Sequence, residues 1–388
     1  MNRVAMIVFF LVISAVLFLS SYYVYSRGMI ALQGSGYTRI FGWIFWILVA
    51  TFLMGQIMER GEPSVAGRIV TWTGSLWLSV FLHLFLFVVV VDAGRAIHHF
   101  LPFFPARLIA GISNGYLFFF TAIVLAAGIS VYGFINARNP QITRLTIHSA
   151  KNPPGISQLK IVMVSDVHIG AMTGNQRVEK MIDDIIRLKP DLVIFAGDLV
   201  DHNPRFLVSG DIGKHFLRLA PPMGIYAIAG NHEFIGHAEV SIGYMSQHGV
   251  KYVRDTVIDL SNGILLAGRD DRDKIRFTGS PRKELGVIME GVDREKFIIL
   301  ADHQPVEYEA VQQAGIDLML SGHTHKGQLW PFNFITSAVY PNDYGLVQKG
   351  NTFYYTSSGY GTWGPPVRTA NRPEMVEITV VFDKNITK

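Results

Sequence analysis

Lys160–His168 reads KIVMVSDVH, and Leu192–Asp201 reads LVIFAGDLVD. Each opens on an uninterrupted apolar run, the pattern of a strand buried on both faces, and each then turns abruptly to carboxylate or imidazole. Between them, Gln176 to Leu188 carries Val178, Met181, Ile182, Ile185 and Ile186 at helical spacing. A strand, a helix and a second strand in so short a length imply parallel pairing, with the helix on one face of the sheet.

The alternation continues. Strands are expected at Ile225–Ala229, Val257–Leu260, Ile264–Gly268, Phe297–Leu300, Leu318–Leu320, Phe353–Ser357 and Val376–Phe382. Helices are expected near Glu239–His248 and Val306–Gln313. The fold class is therefore α/β, a layered sandwich with sheet in the centre and helices outside.

Residues with metal-binding chemistry follow the buried strands. They are Asp166 and His168; Gly197, Asp198 and Asp201; Gly230, Asn231, His232 and Glu233; Asp302 and His303; and Gly322, His323, Thr324 and His325. The C-terminal ends of parallel strands converge on one crevice, so these side chains should meet there. Asp166, Asp198 and Asn231 stand at nearly equal intervals, which places them on successive strands at one level. The carboxylates, amide and imidazoles outnumber what one tetrahedral ion can use. Two ions bridged by one carboxylate account for them economically.

In order and in full, these blocks match D-x-H, G-D-x-x-D, G-N-H-[DE], H and G-H-x-H. From about Leu159 onward the chain thus resembles the calcineurin-like metallophosphoesterase superfamily. The resemblance implies a four-layer α/β/β/α sandwich. It also implies one metal held by Asp166, His168, Asp198 and His325, with Asp198 bridging to a second held by Asn231, His303 and His323. Manganese is expected, and iron and zinc accept the same donors. Hydrolysis would proceed by attack of a metal-bridging hydroxide, with His232 facing the substrate and supplying a hydrogen bond or proton to the leaving oxygen.

Asp201 reads as a loop residue that orients a neighbour rather than as a direct ligand, and His202 lies close enough to touch substrate. Glu233 either supports His232 or starts a solvated turn. Asp302 stands where the family usually has a small residue, and is expected to perturb the second metal position. Lys326 stands where glycine is frequent, and offers a cation to a phosphate. Gly327–Phe332 and Ser358–Arg368 resemble the branch of the superfamily that carries an N-terminal membrane region. There Trp363 and Arg368 either pack on a head group or complete a structural loop.

The first third of the chain has a different character. Of all residues 49% are apolar and 16% charged, and most of the apolar excess lies before Asn136. Four stretches reach the length of a membrane-crossing helix: Val4–Tyr25, Ile40–Met58, Ile69–Val91 and Leu108–Ile135. Tyr37, Trp43, Trp46, Trp72 and Trp77 fall near their ends, as interfacial aromatics do. His83, inside a span, reads as a neutral helix contact. The expected organisation is a four-helix transmembrane domain over residues 1–138, a proline-marked tether over 139–158, and a catalytic domain over 159–388.

Arg3, Arg60, Arg68, Arg138, Arg144 and Lys151 fall on one side of the bilayer and Arg27, Arg39, Arg95 and Arg107 on the other, which favours a cytoplasmic catalytic domain. A net charge of +4 without a basic run implies no nucleic-acid partner, and the absence of cysteine excludes a disulfide frame and thiolate ligands. A membrane-borne substrate follows from the spans: a phosphodiester or pyrophosphate bond in a lipid head group, for which UDP-diacylglucosamine is a candidate by resemblance. The rival readings are a membrane-anchored phosphoesterase acting on nucleotides or phosphoproteins, and a non-enzymatic sensor or transporter with a phosphate-binding metal domain.

Overall fold

A computed structural model of the chain describes residues 3–102, 105 and 115–383. It forms two compact units, Met1–Ile135 with Gly364–Val367, and Asn136–Trp363 with Arg368–Lys388.

The first unit contains α1 (Arg3–Ala31), α2 (Thr38–Met58), α3 (Val65–Phe100) and α4 (Gly115–Ala137). Among the described residues, α2, α3 and α4 are long and apolar enough to cross a membrane. The first expected span falls in α1, where the side chains of residues 3–7, 9 and 10 lie outside the described set. Residues 108–114 of the last expected span also lie outside it.

Helices α2 and α3 approach closely at glycine: a Cβ at Gly55 would lie 2.9 Å from the Thr71 backbone. Helix α3 does not end at Val91 as expected but runs on to Phe100. No breaker occurs before Pro102, and Asp92, the first charge past the span, is held by Arg27 at 2.7 Å and Arg95 at 3.1 Å. His83 Nδ1 donates to the Ser79 carbonyl at 2.7 Å, an intrahelical contact as expected.

The second unit is built on two six-stranded sheets. Sheet one is ordered β1-β12-β2-β3-β4-β5 and sheet two β10-β11-β9-β8-β7-β6. In the first, β2 (Gln158–Val164), β3 (Leu192–Ala196), β4 (Ile225–Ile228) and β5 (Lys251–Tyr252) are parallel, with Ile161 opposite Leu192 and Val193 opposite Ile225. In the second, β7 (Ile264–Gly268), β8 (Phe297–Ala301), β9 (Leu318–Ser321) and β11 (Thr352–Thr356) are parallel, flanked by antiparallel β6 (Thr256–Asp259) and β10 (Gly345–Lys349).

The two-residue period of each strand sorts its side chains between layers. Ile161, Met163, Ile194, Leu266, Ile299 and Leu320 share one cluster between the sheets. Val162, Val164, Val193 and Phe195 point the other way, onto Val178, Met181, Ile182 and Ile185 of α5 (Asn175–Leu188). Ile186, counted in that stripe from the sequence, is 40% exposed. On the far face of sheet two, Ile298, Leu300 and Met319 pack on Tyr308 and Val311 of α8 (Tyr308–Gln313), an arrangement of helix, sheet, sheet, helix. Helix α6 (Asn231–Ile235) follows β4, α7 (Ala238–Gln247) places Met245 in the outer cluster of sheet one, and α9 (Phe332–Val339) follows β9.

The tether assigned to residues 139–158 is corrected in part. Gln141–Ser149 is strand β1, paired in parallel along its whole length with β12 (Glu374–Phe382), itself antiparallel to β2. The prolines at 140, 153 and 154 flank this strand instead of marking a continuous linker. At the edge of the sheet only its last residues face the core, and its charged residues find partners, as Arg144 does in Glu377 at 2.7 Å.

Candidate metal centre

The strands β2, β3, β4, β8 and β9 end on one side of the sandwich, and the segments after them bring the five blocks together. The chain reverses sharply there. Asp166, His168, Asp198, His323 and His325 all hold positive φ, between 46° and 69°, a region that non-glycine residues seldom enter and that concentrates at functional sites. Gly322 permits the closest approach, since a Cβ there would collide with Asp166 Oδ2 and the Ser165 side chain.

Among the described residues four groups of donors have ligand atoms within 4.8 Å of one another; two of them are Asp166, His168 and His325, and Asp198, His303 and His323, and the other two include His232. In the first, His325 Nε2 lies 3.3 Å from Asp166 Oδ1 and 3.1 Å from His168 Nε2. In the second, His303 Nε2 lies 3.1 Å from Asp198 Oδ2, and His323 Nδ1 lies 3.0 Å from Asn231 Oδ1. Asp198 Oδ2 is also 3.9 Å from His168 Nε2, so this carboxylate stands between the groups. All seven expected ligands are therefore brought together.

His303 Nδ1 donates to the Ala196 carbonyl at 2.8 Å, which turns the Nε2 lone pair toward Asp198, and Nε2 has no hydrogen-bond partner there. Burial and neighbouring imidazoles push His168 and His323 down to about 3, so both rings keep their lone pairs at neutral pH. Burial resists charge on Asp166, yet His325 and His303 hold its carboxyl below the ordinary range; Asp198 is likewise held low by His303 and His232. Burial also resists charge on His303, but Asp198, Asp166 and Asp271 draw it toward protonation. Buried imidazoles and carboxylates face one another at 3 to 4 Å, and this N/O set fits divalent ions.

His232 sits beside both groups. Its backbone N–H donates to Asp198 Oδ1 at 2.9 Å, and its Nδ1 to Asp201 Oδ1 at 2.7 Å. Burial alone would lower its pKa, but Asp198 and Asp201 raise it to about 9. Asp201 also accepts from His202 Nδ1 at 2.9 Å. The open choice for Glu233 closes: its buried carboxylate accepts from the backbone N–H groups of Asp198, Val200 and Gly230, locking two site loops together.

Other expectations are corrected. The oxygens of Asp302 turn from the metal groups to Arg269 Nη1 at 2.9 Å and Arg282 Nη1 at 2.8 Å, because two buried guanidinium groups outcompete a mixed-charge pocket. Lys326 lays its Nζ over the Tyr344 ring, 4.1 Å from the centroid, rather than holding it out for a phosphate. Arg368 is fully buried and faces no head group. It donates to the carbonyls of Ser358, Gly359 and Gly361, and its Nη2 lies 3.1 Å from His325 Nδ1. With Asn371, whose Nδ2 donates to the His325 carbonyl at 2.7 Å, it fixes that ring from behind. Trp363 remains 53% exposed.

The sequence reading missed Asn371, which approaches from a distant segment, and Tyr340, whose ring meets His323 edge-on at 5.9 Å. No spacing relative to the metal blocks marks either of them.

A two-sheet sandwich that gathers adjoining His/Asp groups at its strand ends has the donors of a metallohydrolase centre. Residues 159–327 match the family model of the calcineurin-like phosphoesterases. Over 264 residues the chain is 31% identical to an uncharacterized metallophosphoesterase of Aquifex aeolicus, covering 67% of this chain and 98% of that one. It is also 31% identical over 274 residues to a transmembrane protein with metallophosphoesterase domain of Danio rerio, covering 67% of this chain and 62% of the relative. A dimetal phosphatase structure from Danio rerio aligns at 10% identity and TM-score 0.34, over 58% of this chain and 99% of that one. The chain belongs to the calcineurin-like phosphoesterase family, and is a metal-dependent phosphoesterase.

Proposed function

We propose that the protein hydrolyses a phosphodiester or pyrophosphate bond in the head group of a membrane lipid, from a domain moored by four spans, α1 included, on the cytoplasmic side. One observation carries the lipid reading. Helix α4 ends at Ala137 and β1 opens at Gln141, so only Arg138, Asn139 and Pro140 join apolar helix to catalytic sheet. A linker of that length spans about 10 Å, and an enzyme acting on soluble esters needs no such short mooring.

Asp166, His168 and His325 would hold one ion, Asn231, His303 and His323 the other, and Asp198 would serve both. Two divalent ions, manganese foremost with iron or zinc as substitutes, supply Lewis acidity that lowers the pKa of water and draws charge from the phosphoryl oxygens. His232 gives its proton to the departing oxygen while Asp201 keeps the imidazole in register. Glu233 holds the loops that carry Asp198 and Asn231 against drift.

The test is incubation of the manganese-loaded full chain with a total membrane lipid extract, followed by mass spectrometry. One phosphorylated lipid should fall and its phosphate product rise, and Asp198→Asn should abolish the change. An unchanged lipid profile alongside turnover of soluble nucleotides would assign the activity to the anchored, soluble-substrate reading.

A further inference from the structure

Beside the metal groups stands a short helix that the catalytic reading does not use. Helix α9 has the sequence FNFITSAV, and none of its residues is buried. Phe332, Phe334, Ile335 and Val339 are 42 to 66% exposed, and Trp330, just before the helix, is 48% exposed. Single exposed apolar residues are ordinary on any protein, but a contiguous set on two helical turns marks a contact surface.

The helix is fixed in place. On its polar side the hydroxyls of Thr336 and Ser337 both donate to Asp343 Oδ2 at 2.8 Å. The backbone of Gly327 fits against Phe332 and Asn333 so tightly that a Cβ there would collide with them. What remains uncovered is therefore the apolar side of an anchored amphipathic helix.

The geometry points to α9, with Trp330, as an interfacial helix whose aromatic and aliphatic side chains enter the head-group layer of the bilayer. The occupant follows from the chain itself. It already carries membrane-length helices, and only Arg138, Asn139 and Pro140 separate α4 from β1. A helix with Phe, Ile and Val on one side and a bound polar side on the other suits that layer, and tryptophan prefers it.

The position bears on catalysis. Tyr340, the residue after α9, packs on the His323 ring, and Thr324 Oγ1 donates to the Asp343 carbonyl at 2.7 Å. A helix sunk to head-group depth thus brings the His323 loop to the same level, where a lipid phosphoester lies. This deepens the lipid-substrate reading and rests on it for its purpose, though not for its test.

The chain has no cysteine, so Phe334→Cys, Ile335→Cys and Val339→Cys each give a unique label site. Val208→Cys and Val287→Cys, both 59% exposed, serve as controls on the same domain. The full chain, labelled with an environment-sensitive nitrobenzoxadiazole dye, is reconstituted in phosphatidylcholine and phosphatidylglycerol vesicles containing nitroxide-labelled acyl chains. Quenching by the lipid nitroxide should be at least about threefold greater at the α9 positions than at the controls, with protection from aqueous iodide. Equal lipid quenching at all positions overturns the proposal. So does protection of α9 from both quenchers, which means that protein covers it, whether the apolar helices of the same chain or a second copy. A docked helix in a protein that leaves lipids intact would remove only the substrate reading, and lipid hydrolysis with an undocked helix only this one.

Discussion

Asp198→Asn is expected to lower hydrolysis of bis-p-nitrophenyl phosphate by about 10⁴-fold or more in the manganese-loaded protein. The side chain keeps its shape, so the Glu233 bonds to the Asp198 and Val200 backbone remain and the loop should hold. What is lost is charge. Asp198 is the carboxylate set between the groups, 3.1 Å from His303 Nε2 and 3.9 Å from His168 Nε2. Without it the second donor set, Asn231, His303 and His323, has no anion at all, and the first keeps only Asp166. A loss smaller than tenfold would remove Asp198 from the centre of the chemistry.

His232→Ala should cost about 10²–10³-fold on a diester with a poor, alkoxide leaving group, and less than tenfold on one that expels p-nitrophenolate. The split follows from the role. A departing alkoxide needs a proton in the transition state, and His232, whose charged form Asp201 favours through its Nδ1 hydrogen bond, is placed to give one. A nitrophenolate leaves unaided. Asp201→Asn should show the same split in weaker form, because it loosens the imidazole without deleting it. Equal losses on both esters would make His232 a binding residue.

Much of this site was legible in the chain. The blocks at 166–168, 197–201, 230–233, 303 and 322–325 lie at the ends of apolar runs, and local patterning is what a buried parallel strand requires. Contacts made across long sequence separations were not legible. Strand β1 has only two buried positions, Ile147 and Ser149, and its partner β12 lies more than 200 residues on, so its prolines read as a tether. For Arg368 the choice between head-group contact and structural loop stayed open, because no local pattern foretells that the carbonyls of Ser358, Gly359 and Gly361 will enclose a guanidinium. Asp302 misled for a similar reason: its partners Arg269 and Arg282 come from segments that carry no motif.

The central claim is that one set of side chains holds two ions through a shared carboxylate. It is tested most directly by metal content, measured by inductively coupled plasma mass spectrometry on the full chain after manganese loading and removal of free metal. Wild type should retain about two equivalents per chain and Asp198→Asn about one or fewer. Wild type holding less than one, or Asp198→Asn matching wild type at two, would contradict the account.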